Sequence, residues 1–394
     1  MKTIIISRRN KFMKQKISLS ILTIFILYSC QKNNDAQLSK DIIGEWTYIK
    51  TEDQRRPQKN DDIKLPPPPP FGRHIPGYIF SENNLCENKS GYFKRIEAVE
   101  RENRKTFFLG TETKYKIEND SLKILDLATK TWENQKITSI IGDTLTTEIS
   151  DSIFAKYART KYKIDPNENY DKIIVSSSGC YGSCPVLNIS IDNNGNVIYY
   201  GQEYNTKNGI FKSKITKNEY QKIQTNFKKA DIKNLEDNYS ANHTDDETVT
   251  ISFIKNNKIV KSISDYGRES PSALIWAYVP VRYLYQQIKL IPLKVEKPLL
   301  SIWSIGFTKG NQICVLTKSE SFYLLTEILK GKETAYKFES RYQIEFWNDD
   351  QNKKEIINTD GRYFKCRDKI IDIGYNFLTV NNLSEKFRQK DKYD

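Results

Sequence analysis

Two cysteines at close spacing are the sharpest chemical feature of the sequence. Cys180 and Cys184 are separated by three residues, and Pro185 follows directly. Two thiols this close could work as a redox couple, or they could bind a soft metal ion such as Cu(I). The third interpretation is a disulfide that closes a tight loop, helped by Gly179 and Gly182. The sequence favours the disulfide and leaves the redox and copper interpretations open.

The elements predicted on either side of the pair bear on this choice. The C-x-x-x-C-P pattern resembles that of thioredoxin-like copper chaperones, in which a helix follows the cysteines and its N-terminus lowers a thiol pKa. Residues 172–175 and 187–191 are instead rich in Ile, Leu and Val, so a strand is predicted before and after the pair. A copper site of that type also has a distal histidine. His243 is the candidate, because His74 falls in another predicted domain.

The segment His243-Thr244-Asp245 is the second candidate for chemistry. A histidine followed by acidic residues could form an acid–base pair or part of a metal site. The favoured interpretation is a loop in which Asp245 accepts hydrogen bonds from backbone N–H groups. The residues predicted to form a functional loop come from both segments: Tyr181, Gly182, Pro185, His243 and Asp245.

The chain has few other residues that could form a catalytic site. Two histidines occur among 394 residues, and the sequence has no P-loop, G-x-S-x-G, H-E-x-x-H or dinucleotide fingerprint. We therefore expect no catalytic residue, no metal site and no cofactor, and a protein that is not an enzyme.

Cys30 indicates where the protein resides. It ends the sequence Leu-Tyr-Ser-Cys at residues 27–30, after an apolar run that Lys14 and Lys16 precede. The run is too short to cross a bilayer as a helix, which takes about 20 residues, so it is typical of a cleaved leader. The sequence around Cys30 resembles a bacterial lipobox. That resemblance implies cleavage before Cys30 and lipidation of its thiol.

The lipobox resemblance divides the N-terminus into a signal peptide at residues 1–29 and a tether at 30–37. The residue after the cysteine is Gln31, not the aspartate that retains many lipoproteins at the inner membrane. We therefore expect a lipid-anchored protein of the cell envelope, at the outer membrane, with the bilayer as a partner. The periplasmic and the surface side both stay open.

An oxidising envelope favours disulfides among the other cysteines. Cys314 and Cys366 fall in one predicted domain and are expected to pair. Cys86 is then the odd cysteine. This connectivity rests on shared domain membership.

The basic charge of the chain does not indicate a nucleic-acid partner. The formal charge of +13 falls to +7 once the six Lys and Arg of residues 1–29 are removed. Acidic residues are interleaved with the basic ones along the remainder, whereas a nucleic-acid site gathers Lys and Arg on one patch. We therefore expect no nucleic-acid partner.

Alternating aromatic and β-branched residues predict a multi-domain, β-rich chain. Residues 38–160 contain short strands separated by turn signals such as Asn119-Asp120, and Lys105–Leu109 is one of these strands. Short strands with no helix between them predict a small antiparallel β-barrel.

This first domain resembles the lipocalin-like domains of bacterial lipoproteins. The resemblance lies in the start Gly44-x-Trp46 and in Arg159 near the end, and it implies that the late arginine packs over the first tryptophan. The run Pro66–Pro70 departs from that pattern and predicts an extended loop. A barrel of this size can hold one small ligand or be filled by its own side chains, and both cases stay open.

The remainder is predicted as two α+β modules built of β-hairpins and helices, at residues 168–292 and 298–394. In the first module a capping box at Thr216–Glu219 begins one helix, and Ser270-Pro271 begins another, with Ser270 as the N-cap. In the second, a helix near Phe322–Leu329 separates two hairpins.

The module at 168–292 resembles a domain family of envelope lipoproteins that has no known activity. The motif C-x-G-x-C-P and the Thr244-Asp245 pair carry the resemblance, which implies a fold unit alone. Our leading hypothesis is a binding or interaction lipoprotein whose ligand is a small molecule or a protein. The alternatives are a thiol redox or copper-binding protein that uses Cys180 and Cys184, and an inhibitor or immunity-type protein.

Overall fold

The computed structural model describes residues 34–55, 76–100, 103–295, 304–348 and 353–391. These form two compact units. The first holds the described residues up to 161 apart from 93–108, and the second holds 93–108 and the described residues from 162 onward. The predicted signal peptide, Cys30 and the proline run lie outside the described residues. Among the described helices, none has both the length and the apolar character needed to span a bilayer.

The first unit is a closed antiparallel barrel. Its eight strands follow one another around the barrel in the order β1-β10-β9-β8-β7-β6-β3-β2. They are β1 (Gly44–Asp53), β2 (Gly77–Phe80), β3 (Leu85–Asn88), β6 (Glu112–Glu118), β7 (Ser121–Leu125), β8 (Trp132–Ile141), β9 (Thr144–Ser150) and β10 (Ile153–Arg159). Two further strands, β4 (Phe93–Ile96) and β5 (Lys105–Phe108), pair with each other in a separate hairpin.

Short-range signals set the barrel's register. Asn119 and Asp120 have φ angles of 55° and 57°, which is the left-handed pair that a tight hairpin requires. Where β1 begins and β10 ends, the guanidinium of Arg159 lies 4.3 Å from the ring centroid of Trp46. It also donates to the carbonyls of Asp41 and Ile43. The two residues matched by the lipocalin resemblance are therefore in contact.

Two local predictions for this part of the chain were wrong. Lys105–Phe108 pairs with β4 and not with a barrel strand. The sequence pattern predicts that these residues form a strand, but it does not show which strand is their partner. The predicted tether is also partly helical, since helix α1 occupies residues 34–41. Its Asp35 carboxylate accepts hydrogen bonds from the N–H groups of Asn119 and Asp120 at 3.0 and 2.9 Å.

The second unit contains an eight-stranded sheet in the order β15-β17-β16-β11-β12-β13-β14-β18. The strands are β11 (Lys172–Ser177), β12 (Val186–Asp192), β13 (Asn196–Glu203), β14 (Gly209–Lys214), β15 (Asn238–Ser240), β16 (Thr248–Lys255), β17 (Lys258–Tyr266) and β18 (Ile291–Pro292). Helices α2 (Lys217–Lys228) and α3 (Ser272–Tyr283) cover one face, where Ile173 and Val175 share a core with Tyr220 and Tyr278.

The opposite face of this sheet is covered by the C-terminal segment. Helix α4 (Lys318–Lys330) packs there, and its Phe322 and Tyr323 share a second core with Ile174 of β11. A second sheet belongs to the same segment, in the order β21-β25-β24-β23-β22-β19-β20-β26. Its strands are β19 (Gly306–Lys309), β20 (Gln312–Val315), β21 (Lys332–Thr334), β22 (Tyr342–Asn348), β23 (Lys353–Thr359), β24 (Tyr363–Cys366), β25 (Lys369–Asp372) and β26 (Arg388–Gln389), with a short helix α5 (Phe377–Val380).

The modules predicted at 168–292 and 298–394 therefore fold as one compact unit with a shared core. The start of α2 is as predicted, because the Thr216 hydroxyl and the Glu219 side chain form both halves of the capping box. The start of α3 differs, because Pro271 is the N-cap. The Ser270 hydroxyl does not cap the helix and instead donates to the Asp265 carboxylate at 2.6 Å.

Candidate functional site

The predicted functional residues lie in two adjacent loops at one end of the first sheet of the second unit. Strand β11 is hydrogen-bonded to β12 on one side and to β16 on the other. The loop at residues 178–185 follows β11, and the loop at 241–247 precedes β16. We call these two loops together the loop edge. Because their strands are neighbours, the backbone itself brings the two loops side by side.

Backbone contacts join the two loops. The N–H of Ser178 donates to the carbonyl of Thr248 at 2.9 Å, and the Ser178 hydroxyl accepts from the Thr248 N–H at 2.8 Å. Further out, the N–H of Tyr181 donates to the carbonyl of Asp245 at 3.2 Å. The loops are thus held together both at the strand ends and near their tips.

Cys180 and Cys184 form a disulfide with a Cα–Cα distance of 5.6 Å, which confirms the predicted pair. Pro185 continues straight into β12 and accepts a hydrogen bond from the buried Ser177 hydroxyl at 2.7 Å. A strand, not a helix, therefore follows the second cysteine, as the sequence predicted, and the helix dipole that lowers thiol pKa in thioredoxin-like sites is absent from this position. At Gly182 an added Cβ would lie 3.6 Å from the Cys180 sulfur, so nothing in the structure requires glycine there.

The side chain at the tip of the disulfide loop is a tyrosine. Tyr181 is 71% exposed, although the residues around it are fixed by the disulfide and by the bond to Asp245. The loop therefore presents a large aromatic ring to solvent on a backbone that is held in place.

In the loop at 241–247, the aspartate that caps the backbone is not the one that the sequence predicted. Asp245 adopts a φ of 74° and offers its backbone carbonyl to Tyr181. The backbone-capping role assigned to its carboxylate belongs to Asp246, which accepts from the N–H of Glu247 at 2.7 Å. His243 lies 3.3 Å from the Asp246 carboxylate, with the side chain 39% exposed. Across the described ranges, no group of three or more His, Cys, Asp or Glu could hold a metal ion.

A buried ionic cluster beneath the loop edge was not predicted. Glu247 and Arg282 are 4% and 1% exposed, and the guanidinium makes a two-pronged contact with the carboxylate that includes a 2.8 Å bond. Arg268 lies 3.4 Å from the same carboxylate. Burial opposes ionisation of Glu247, but the charges of the two arginines outweigh it and lower its pKa. The pair joins α3 to the start of β16, so it fixes the base of the 241–247 loop.

The predicted pairing of Cys314 with Cys366 was wrong. Cys314 and Cys366 are not joined to each other, because they lie on β20 and β24, with β19, β22 and β23 between them in the sheet. Strands in a sheet are about 4.8 Å apart, so that separation exceeds the reach of a disulfide. Sequence spacing carries no information on this order. Cys86 is buried within the barrel, and burial raises the pKa of its thiol.

The comparisons with known proteins agree with a domain of no known activity. Residues 171–285 match the model of a family described as a domain of unknown function, DUF6438. The chain contains a domain of this family. The matched segment includes the disulfide, the loop edge and the Glu247–Arg282 pair, and it falls within the module predicted at 168–292. No curated protein and no solved structure matches the chain.

The disulfide is expected to stabilise the second unit. Replacement of both Cys180 and Cys184 by serine frees a loop with a sequence separation of 4, and loop-closure entropy puts the loss at roughly 2 kcal/mol. Urea unfolding of the full-length chain should give a lower midpoint for the double variant and for the reduced wild type. Equal midpoints for the double variant and the oxidised wild type would contradict a structural role.

The ionic cluster is expected to make stability depend on pH. Glu247→Gln should cost about 3 kcal/mol at pH 7, because Arg282 loses the charge that compensates its burial. The pKa of the Glu247 carboxyl is lower in the folded protein than its ordinary value of 4.5, so its ionisation stabilises the fold above pH 4.5. That stabilisation is lost as the pH falls through the folded pKa, so the difference between variant and wild type should shrink in acid. Urea unfolding at pH 7 and at lower pH measures it. Glu269, two residues after Gly267, is exposed, so Glu269→Gln is the control. If Glu247→Gln loses no more stability at pH 7 than this control, the assignment is refuted.

Proposed function

We propose that the protein is an envelope lipoprotein, anchored through Cys30, that recognises a partner protein through the loop edge. The observation that supports recognition is the exposed ring of Tyr181 on a disulfide-closed loop. Tyrosine is enriched among the residues that carry binding energy at interfaces, since it supplies a large contact area and a polar tip at a small entropic cost.

Rigidity of the loop strengthens this proposal. Binding a partner costs conformational entropy, and a loop that is already fixed avoids part of that cost. The disulfide fixes the loop between Cys180 and Cys184. The Asp245 carbonyl holds its tip, and the Glu247–Arg282 pair holds the neighbouring loop from beneath.

The second loop of the loop edge also suits a protein partner. Its Asp245 is exposed, and the side chain of His243 is 39% exposed. An aromatic residue on one loop with charged and polar side chains on the adjoining loop is the composition of a small protein interface, in which the rim stays polar. An inhibitor or immunity-type role would be one form of this activity.

A redox or copper-binding role for Cys180 and Cys184 is supported less well. A thiol that reacts readily at neutral pH has a lowered pKa, which a helix N-terminus or a nearby cation provides. The chain after Cys184 is strand β12, and the two arginines near the loop edge are engaged with Glu247.

Photocrosslinking tests the recognition surface. With p-benzoylphenylalanine in place of Tyr181 in the full-length chain, expressed in its own envelope, we expect one discrete light-dependent adduct. The same replacement at Tyr336 is the matched control, since that tyrosine is 56% exposed in the C-terminal segment. The adduct should be lost on reduction of the disulfide. Equal adducts at both positions would reject the loop edge as the recognition surface.

Fractionation tests the anchor. Cys30→Ala is expected to abolish lipidation and to move the protein from the outer-membrane fraction to the soluble envelope fraction, because one residue carries the whole lipid anchor. The measurement is fractionation after a carbonate wash, followed by immunoblotting. A Cys30→Ala chain that still sediments with membranes would overturn the anchoring proposal while leaving the loop-edge proposal intact.

A further inference from the structure

The two eight-stranded sheets of the second unit have four end strands, β15, β18, β21 and β26. An end strand exposes backbone N–H and C=O groups with which another chain can pair, and proteins protect such edges with proline, lysine or other charged residues. Three of the four carry this protection: Pro292 in β18, Lys332 in β21 and Arg388 in β26. Strand β15 is Asn-Tyr-Ser and contains neither proline nor a charged residue. It is therefore the edge best suited to accept another strand.

The bonds between β15 and β17 fix the direction of the backbone groups in β15. The two strands are parallel. The carbonyl of Asp237 accepts from the N–H of Ser264 at 2.8 Å, and the N–H of Ala241 donates to the carbonyl of Tyr266 at 3.1 Å. Residues two apart in a strand direct their backbone groups to the same side. Positions 237, 239 and 241 therefore face β17.

The two intervening residues direct their backbone groups away from the sheet. These are Asn238 and Ser240, and both are exposed. Among the strands that the structure describes, none pairs with β15 on that side, because β15 ends the strand order. The outer side of β15 thus offers the N–H and C=O groups of two residues at the spacing of a sheet ladder.

Side-chain contacts hold this segment in its extended form. Lys261 of β17 pairs with the Asp237 carboxylate at 2.6 Å and also donates to the carbonyl of Leu235. The Tyr239 hydroxyl accepts from the N–H of Glu236 at 3.0 Å, and Tyr239 packs against the core beneath α2 and α3. A template that is already ordered avoids part of the entropic cost of binding.

The residues around β15 are acidic. Residues 234–247 contain five Asp and Glu and no Lys or Arg. Of the five, Glu236, Asp237 and Asp245 are exposed. An added strand that carries Lys or Arg gains from this charge, whereas a second copy of β15 would bring like charges together. The charge therefore favours a basic partner over self-association.

Strand β15 ends beside the loop edge. Tyr266 of β17 pairs with Ser240 on one side and with Thr248 on the other. Thr248 is in turn bonded to Ser178 of the disulfide loop. The end of β15 and the loop edge therefore lie at the same end of the sheet, and one partner can contact both.

We propose that β15 binds an extended, basic segment of a partner protein as an additional strand of the sheet. The backbone groups of Asn238 and Ser240 form ladder bonds with the segment, and its Lys or Arg side chains lie near Glu236 and Asp245. Main-chain bonds supply affinity in this mode of recognition, and side chains supply specificity. The proposal rests on the proposed function in one respect, because the same partner contacts the loop edge.

Peptide selection followed by hydrogen exchange tests the proposal on the full-length chain in detergent. The probe is a phage-displayed library of ten random residues, and the selected peptides are then synthesised. We expect them to carry a net positive charge and to protect the amides of Asn238 and Ser240 from exchange, with no change in β21. A selection without binders, peptides without positive charge, or protection that spares both amides overturns the proposal.

Two variants at one position separate the backbone from the side chain. Ser240→Pro removes an outward N–H that β17 does not use, so it should weaken peptide binding at least tenfold. Ser240→Ala keeps that N–H and should bind as the wild type does. Equal binding by the two variants contradicts strand addition.

A charge reversal provides a test that does not depend on the proline variant. Glu236→Lys should weaken the peptide at least threefold, because it reverses a charge beside the edge. Glu112→Lys, at an exposed residue of the barrel, is the control and should have no effect. If Ser240→Pro lowers the urea midpoint of the chain, this comparison and the exchange measurement on the wild type decide the question.

The exchange pattern also separates this proposal from recognition by the loop edge. Protection confined to residues 178–185 and 241–247 rejects strand addition and leaves the loop edge as the recognition surface. Protection at β15 without a specific adduct from position 181 rejects the loop edge alone. Protection at β15 that rises with protein concentration in the absence of peptide identifies a second copy as the occupant and overturns the proposal.

Discussion

Burial of strand β11 on both faces is the constraint on which the second unit depends. All six of its residues are buried. Antiparallel sheets commonly leave one face in water, but here helices α2 and α3 cover one face and α4 covers the other. A charged side chain on the α4 face therefore needs a partner inside the protein. Lys172 pairs with Glu327 of α4 at 2.6 Å.

Small hydroxyl residues meet the same requirement nearer the start of α4. The Ser252 hydroxyl lies 2.7 Å from that of Ser319, and the Thr250 hydroxyl accepts from the Ser319 N–H at 3.0 Å. These bonds cross between residues distant in sequence. They explain why the DUF6438 segment at 171–285 and the C-terminal segment share one core, and why the loop edge sits on a frame supported from two sides.

The sequence was informative where structure is local. The turn at Asn119-Asp120, the capping box at Thr216–Glu219 and the Cys180–Cys184 disulfide each depend on residues within a few positions of one another. A second capping box at Thr317–Glu320 follows the same pattern and begins α4. It was readable from Thr-Lys-Ser-Glu, which parallels Thr-Lys-Asn-Glu at the start of α2.

Features that depend on distant partners were not readable. An alternation of Ser and Thr with Ile and Val along β16 indicates a strand with one wet face, and only the presence of α4 makes that face dry. The Glu247–Arg282 pair joins residues 35 positions apart, and neither residue has a local signal that distinguishes it from a surface charge. The same limit applies to Cys314 and Cys366, whose separation depends on strand order.

Charge compensation explains why Glu247 is a structural residue. The side chain is buried, yet its pKa is lowered, because Arg282 and Arg268 lie against it. Such a carboxylate is already satisfied and has a structural role. The two arginines are engaged with Glu247 inside the protein, so the chemistry that the loop edge offers to a partner comes from its exposed residues, Tyr181 and Asp245.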